Sequence, residues 1–162
     1  MMGFLTSFIP AFILIAAGVL AASVPASFKP SSIVRKILLV SAPILALILI
    51  SKIFYGQSDN VFLGGEMTIA GITLTTLRID MLSLVWGYIF CVAGVINGIF
   101  ALHEKCKITD SSALIYTGAG LGAVFAGDLI TLFMFWELLA LSSVFIVWRG
   151  GEMERATWAR WV

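Results

Sequence analysis

Of the 162 residues of this chain, 60% are hydrophobic and only 12% charged, with a mean hydropathy of +1.07, far from the soluble balance of about half apolar and a quarter charged. The formal net charge is +1, and so few scattered Lys and Arg cannot make the concentrated basic surface that nucleic-acid binding requires. Two cysteines and one histidine form no CxxC or Cys/His ligand set, so neither a bound metal nor a cofactor is expected.

A bilayer core of about 30 Å is crossed by roughly 20 apolar helical residues, and charge-free stretches of about that length read as spans in chain order. Residues 3–24 form the first. Its length and the lack of a basic leader favour a retained helix over a signal peptide, although Ala22 and Ser23 loosely imitate a cleavage site. Residues 33–54 form the second, with Arg35 and Lys36 at one end and Lys52 at the other, where long basic side chains snorkel. Residues 55–80 break the helical pattern with Gly64-Gly65 and a Thr/Ile/Leu-rich run, which predicts a small external β-hairpin. Residues 81–102, 111–127 and 129–148 form the third, fourth and fifth spans, and only Asp128 separates the last two. A tail of residues 149–162 follows. The expected fold is an all-α integral membrane protein of about five transmembrane helices with that one hairpin, in a single membrane domain.

Lys29, Arg35, Lys36, Lys105, Lys107, Arg149, Arg155 and Arg160 fall on one side of these spans, whereas the other side keeps Lys52 and Arg78 beside four acids. Basic loops stay in the cytoplasm, so the amino terminus is expected outside and the carboxyl terminus inside, in the cell inner (plasma) membrane. Cys91 and Cys106 are fifteen positions apart, roughly 20 Å along a helix, which argues against a disulfide. The sequence stops at Val162 inside what reads as a cytoplasmic connection, as if more should follow.

One residue carries a strong functional signal. Glu137 is the ninth residue of the fifth span, roughly 13 Å from Asp128 and roughly 18 Å from Arg149 along the helix, near the bilayer centre. A charged side chain there costs about 2.5–3.5 kcal/mol on insertion scales, and such groups mark ion or proton pathways more often than they serve as packing groups. Phe133, Met134, Ala140 and Leu141, three and four residues away, are apolar, and every Lys and Arg lies at or beyond a span end, so its partner is expected from outside this sequence. Asn97, Tyr88, Tyr116 and Thr117 are minor candidates for hydrogen bonds or water sites. Asp128 is a secondary candidate, but it points away from Glu137 and suits a helix N-cap better. His103 is a secondary candidate that reads more naturally as an interfacial residue. The glycines at 118, 120 and 122 lack the preceding strand of a nucleotide loop; Gly118 with Gly122, and Gly94 with Gly98, have instead the GxxxG spacing that lets membrane helices approach closely.

The run Val124–Leu138, VFAGDLITLFMFWEL, followed by Ser142-Ser143, resembles the antiporter-like subunits shared by Mrp-type sodium/proton antiporters, respiratory complex I and membrane-bound hydrogenases, and is most similar to the D-type member of the Mrp group. Leu77–Ser83 is similar to the stretch before that family's third helix. The resemblance implies a fold of about fourteen helices with two inverted five-helix repeats, in which a glutamate on the fifth helix pairs with a lysine on a broken seventh. Glu137 matches the glutamate, while the later helices and their lysines lie beyond this sequence. It further implies a proton-translocating subunit, inactive as an enzyme alone, whose partners are other membrane subunits, the lipid bilayer, protons and in some members sodium. The competing readings are a structural membrane scaffold and an inactive truncated fragment.

Overall fold

A computed structural model of the chain describes residues 9–23, 31–56, 61–69, 71–103 and 106–158. Five helices and one hairpin follow in order: α1 (Ile9–Ser23), α2 (Ser31–Tyr55), β1 (Val61–Ile69), β2 (Ile72–Asp80), α3 (Met81–Ala101), α4 (Lys107–Val124) and α5 (Leu129–Trp158). Residues 3–8 and 24 of the expected first span, and Lys29, Lys105 and Arg160, lie outside the described residues.

Three helical segments are long and apolar enough to cross a membrane: Ile33–Tyr55, Met81–Ala101 and Leu129–Arg149. The expectation of about five is met only to that extent. The described part of α1 is apolar but 15 residues long; α4 has 18 residues but carries Lys107, Asp110 and several hydroxyl side chains, which lower its hydropathy.

The hairpin is present as an antiparallel pair running from Val61 opposite Asp80 to Ile69 opposite Ile72. Gly64 and Gly65 lie inside β1, and the reversal falls between Ile69 and Ile72, where Gly71 has φ +82°, a left-handed conformation that glycine adopts without steric cost. β2 is bound to the connection between α4 and α5: the Arg78 N–H donates to the Phe125 carbonyl (2.7 Å) and the Gly127 N–H to the Thr75 carbonyl (3.1 Å). Asp80 ends β2 and caps α3. Its carboxylate accepts from the Ser83 N–H at 2.8 Å, and the Ser83 hydroxyl accepts from the Asp80 N–H, a reciprocal capping box. The Ser83 N–H, with lesser help from the Ser83 hydroxyl and Arg78, holds the Asp80 carboxyl below its ordinary 3.8 against a small opposing effect of burial.

The core is built from α1 to α4 and β2: Leu14, Ala17 and Ala21; Leu39, Ala42, Ala46 and Ile50; Leu77 and Ile79; Leu84 and Cys91; Leu114 and Leu121. Small residues at three- and four-residue spacing let these helices close together. Gly18 lies against Ser111 and Ile115, while Gly118 lies against Ala11, Leu14 and Ile15, so α1 and α4 run antiparallel. Gly98 faces the Leu39 carbonyl and Gly94 faces Thr117 and Pro43, which sets α2 antiparallel to α3 with α4 beside them. Both GxxxG pairs lie at packing faces, but Gly118 meets α1 whereas Gly122 meets the Phe135 ring of α5. One motif thus serves two neighbours.

α5 contributes no residue to that core cluster. It rests mainly on α4 through Thr131, Phe135 and Ser142, its buried side chains among the described residues.

Candidate functional site

The Leu129–Arg149 segment of α5 shows how a carboxylate comes to be held on an outer face. Its backbone starts cleanly because Asp128 accepts from the Thr131 N–H (2.8 Å) and the Thr131 hydroxyl (2.8 Å), satisfying orphan donors of the first turn. Asp128 is therefore committed to the helix start, at the opposite end of the span from Arg149. Asp128→Ala is expected to destabilise the folded protein by about 1–2 kcal/mol and Asp128→Ser by less, as read from thermal unfolding in detergent.

With its start fixed, helix geometry places Thr131, Phe135 and Ser142 against α4 and turns Glu137 nearly to the opposite side. Glu137 is exposed, as are Phe133, Met134, Trp136 and Leu141 around it. Only 17% of this span is buried within the chain. Glu137 makes no hydrogen bond or ion pair among the described residues; the ion pair seen there, Arg78 with Asp80 at 3.5 Å, lies on the hairpin. The carboxylate is surrounded on its own helix by apolar side chains and faces away from the other four helices.

His103, in the turn after α3, is exposed and shares no helix with Glu137. Asn97 and Tyr116 are also exposed. Tyr88 and Ser51 join their hydroxyls at 3.0 Å across α2 and α3. Thr117, Ser111 and Ser142 are buried but donate to carbonyls of their own helices, the usual outlet for a hydroxyl within a helix. The structure brings none of these groups to Glu137.

Two buried charged residues were not singled out by the sequence. Asp110 is 1% exposed and Arg35 9%; Arg35, expected to snorkel, has its side chain turned inward, with Nε lacking a hydrogen-bond partner among the described residues. The signal was in the spacing. Arg35 continues the stripe Leu39, Ala42, Ala46 and Ile50, and Asp110 lies seven residues before Thr117, so each sits on a helix face that the core covers.

The antiparallel arrangement collects Arg35, Lys36, Lys107, Asp110 and Arg149 at one end of the helices. Cys91 and Cys106 are free thiols, and Cys106 belongs to that end. Burial pushes the Cys106 thiol up, but hydrogen bonds from the Thr109 side chain and from the N–H groups of Thr109 and Ile108, together with the Arg149 guanidinium, outweigh it and leave the thiol below its ordinary 9.0. Because the thiolate is the nucleophile, the maleimide labelling rate of Cys106 against pH is expected to have its midpoint below 9.0. Arg149→Gln should move that midpoint upward, since it removes a charge that favours the anion.

No protein-family model matches the chain, and no solved structure matches it. It is similar to the A-type subunit of the Na(+)/H(+) antiporter of Alkalihalophilus pseudofirmus, with 30% identity over 89 residues, which cover 51% of this chain and 11% of that protein. The chain therefore corresponds to about a tenth of the relative it matches. This likeness, with the three long apolar helices, supports an antiporter-like multi-pass membrane protein of the Mrp type.

Proposed function

We propose that this chain is the amino-terminal five-helix portion of a proton-translocating antiporter-like subunit, and that Glu137 is the carboxylate through which its protons pass. The observation that carries the reading is the placement of Glu137: halfway along a membrane-crossing helix, on the face the rest of the chain leaves uncovered. A carboxyl group away from water keeps its proton, and the approach of a cation makes it release that proton. A lysine from later sequence or from a neighbouring membrane protein would supply the cation, alternately binding the carboxylate and withdrawing from it.

The run Val124–Leu138 favours the D-type member of the Mrp group, while the relative it matches is of the A type; Glu137 has the same role in either case. The reading places all five helices across the inner membrane with the basic end in the cytoplasm, Asp128 as the structural start of α5 and His103 at the interface. The working assembly is a multisubunit cation/proton antiporter or a complex I-type membrane arm, moving protons and in some settings sodium.

The test is proton and sodium transport in everted vesicles, comparing the native complex with its Glu137→Gln variant at matched expression. Loss of transport with the complex intact supports the proton path. Undiminished transport rejects it and leaves the scaffold reading, in which Glu137 only packs.

A further inference from the structure

At the basic end of the bundle, Ile108 of α4 and Phe145, Trp148 and Arg149 of α5 line an open groove of about 280 Å³. Its walls are chemically divided. Ile108, Phe145 and Trp148 are exposed apolar surfaces, whereas Arg149 is half-buried with its Nε out of reach of solvent. Lys107 immediately precedes Ile108 in the first turn of α4. The groove also has a defined depth, because the apolar segment of α5 ends at Arg149; Trp148 and Arg149 therefore stand where hydrocarbon gives way to head groups, the level that tryptophan and basic side chains favour.

We propose that this groove binds an anionic phospholipid of the adjoining leaflet, with part of an acyl chain along Ile108, Phe145 and Trp148 and the phosphodiester beside Arg149 and Lys107. The apolar walls and the cationic end match the two halves of such a lipid in the order a bilayer presents them. Basic pockets between membrane helices bind acidic head groups in this way. The acidic group on the flank is Asp110, which is wholly enclosed, so the groove itself opens on cationic and apolar groups. A zwitterionic lipid carries its own ammonium, which Arg149 and Lys107 repel; phosphatidylglycerol does not. The proposal depends on the helices crossing a bilayer and is independent of any role of Glu137.

The test is native mass spectrometry of the full protein, purified with its native partners from nanodiscs containing phosphatidylcholine and phosphatidylglycerol in equal amounts. Phosphatidylglycerol is expected to be retained preferentially, and Arg149→Gln should reduce that retention about fivefold, the effect of one basic residue near an anionic surface. Ile108→Trp fills the apolar wall while leaving every charge in place, and is expected to reduce retention to a similar extent. Equal retention of the two lipids, or preferential retention that neither variant lowers, overturns the proposal. A cross-link from Cys106 to another polypeptide segment lying in the groove would overturn it too, by showing that protein occupies the site.

Discussion

Glu137→Gln is expected to lower coupled proton movement by about a hundredfold or more, the range in which loss of a positioned acid-base group falls, while Glu137→Asp retains a measurable fraction. Glutamine keeps the shape and the hydrogen-bonding atoms but cannot take up or release a proton; aspartate keeps the proton chemistry but withdraws the carboxyl by one methylene. The structure makes this a clean comparison. Glu137 faces away from the other helices and has no hydrogen-bond or ion-pair partner among the described residues, so replacing it removes no contact within the described bundle. Its effect on the stability of this part should stay within about 0.5 kcal/mol, as for surface substitutions away from special features. Transport lost without a change in melting temperature therefore identifies a functional group. Transport lost together with stability would point to packing, and equal activity of all three proteins would remove Glu137 from the pathway.

Gly98→Ala is expected to produce the largest structural effect of any single methyl group in the bundle. A Cβ at that position would stand 2.6 Å from the Leu39 carbonyl oxygen and 3.1 Å from its carbon, both backbone atoms of the facing helix, so α2 and α3 must separate. Overpacking of this kind typically costs about 1–3 kcal/mol and sometimes more, and Gly98→Leu should exceed Gly98→Ala. The geometry has a local origin. Pro43 lies inside α2 and has no N–H, so the Leu39 carbonyl lacks its usual i+4 donor, and this is the carbonyl that faces the glycine. Gly122→Ala supplies the contrast. There the added Cβ would meet the Phe135 ring, a side chain on the peripheral helix that can swing toward lipid, so a smaller loss is expected. Thermal unfolding in detergent measures both variants; a Gly98→Ala protein as stable as the parent would show that α2 and α3 stand further apart than these distances.

Much of this architecture could be read from the residues alone because a bilayer imposes length and polarity so strictly. Charge-free stretches of about 20 residues must be helices when no water is available to satisfy a peptide group, which is why α2, α3 and the membrane part of α5 follow the sequence. The hairpin was legible from its β-branched run. Its register was not, since Gly64-Gly65 resembles a turn and lies within β1, while the reversal falls at Gly71. Asp128 at the start of α5 was legible because capping is local chemistry, set by Asp128 and Thr131 three residues apart. Glu137 stood out because a carboxylate in a membrane span is costly wherever it points.

What the sequence could not decide was which way each helix turns. In a water-soluble helix the polar face marks the outside; α5 is apolar nearly all round, so its periodicity does not tell the neighbour-facing side from the lipid-facing side. Only the packing of Phe135 against Gly122 and the burial of Thr131 and Ser142 fix its rotation and turn Glu137 outward. The same ambiguity hid the inward turn of Arg35 and the burial of Asp110, because a charged residue near a span end can snorkel or fold under the bundle at similar depth. Length, polarity and the presence of a mid-membrane carboxylate were determined by the sequence, through the cost of placing polar groups in hydrocarbon. Its direction, away from its own chain and open to a partner, was decided by close helix contacts that arise only when five helices are packed together.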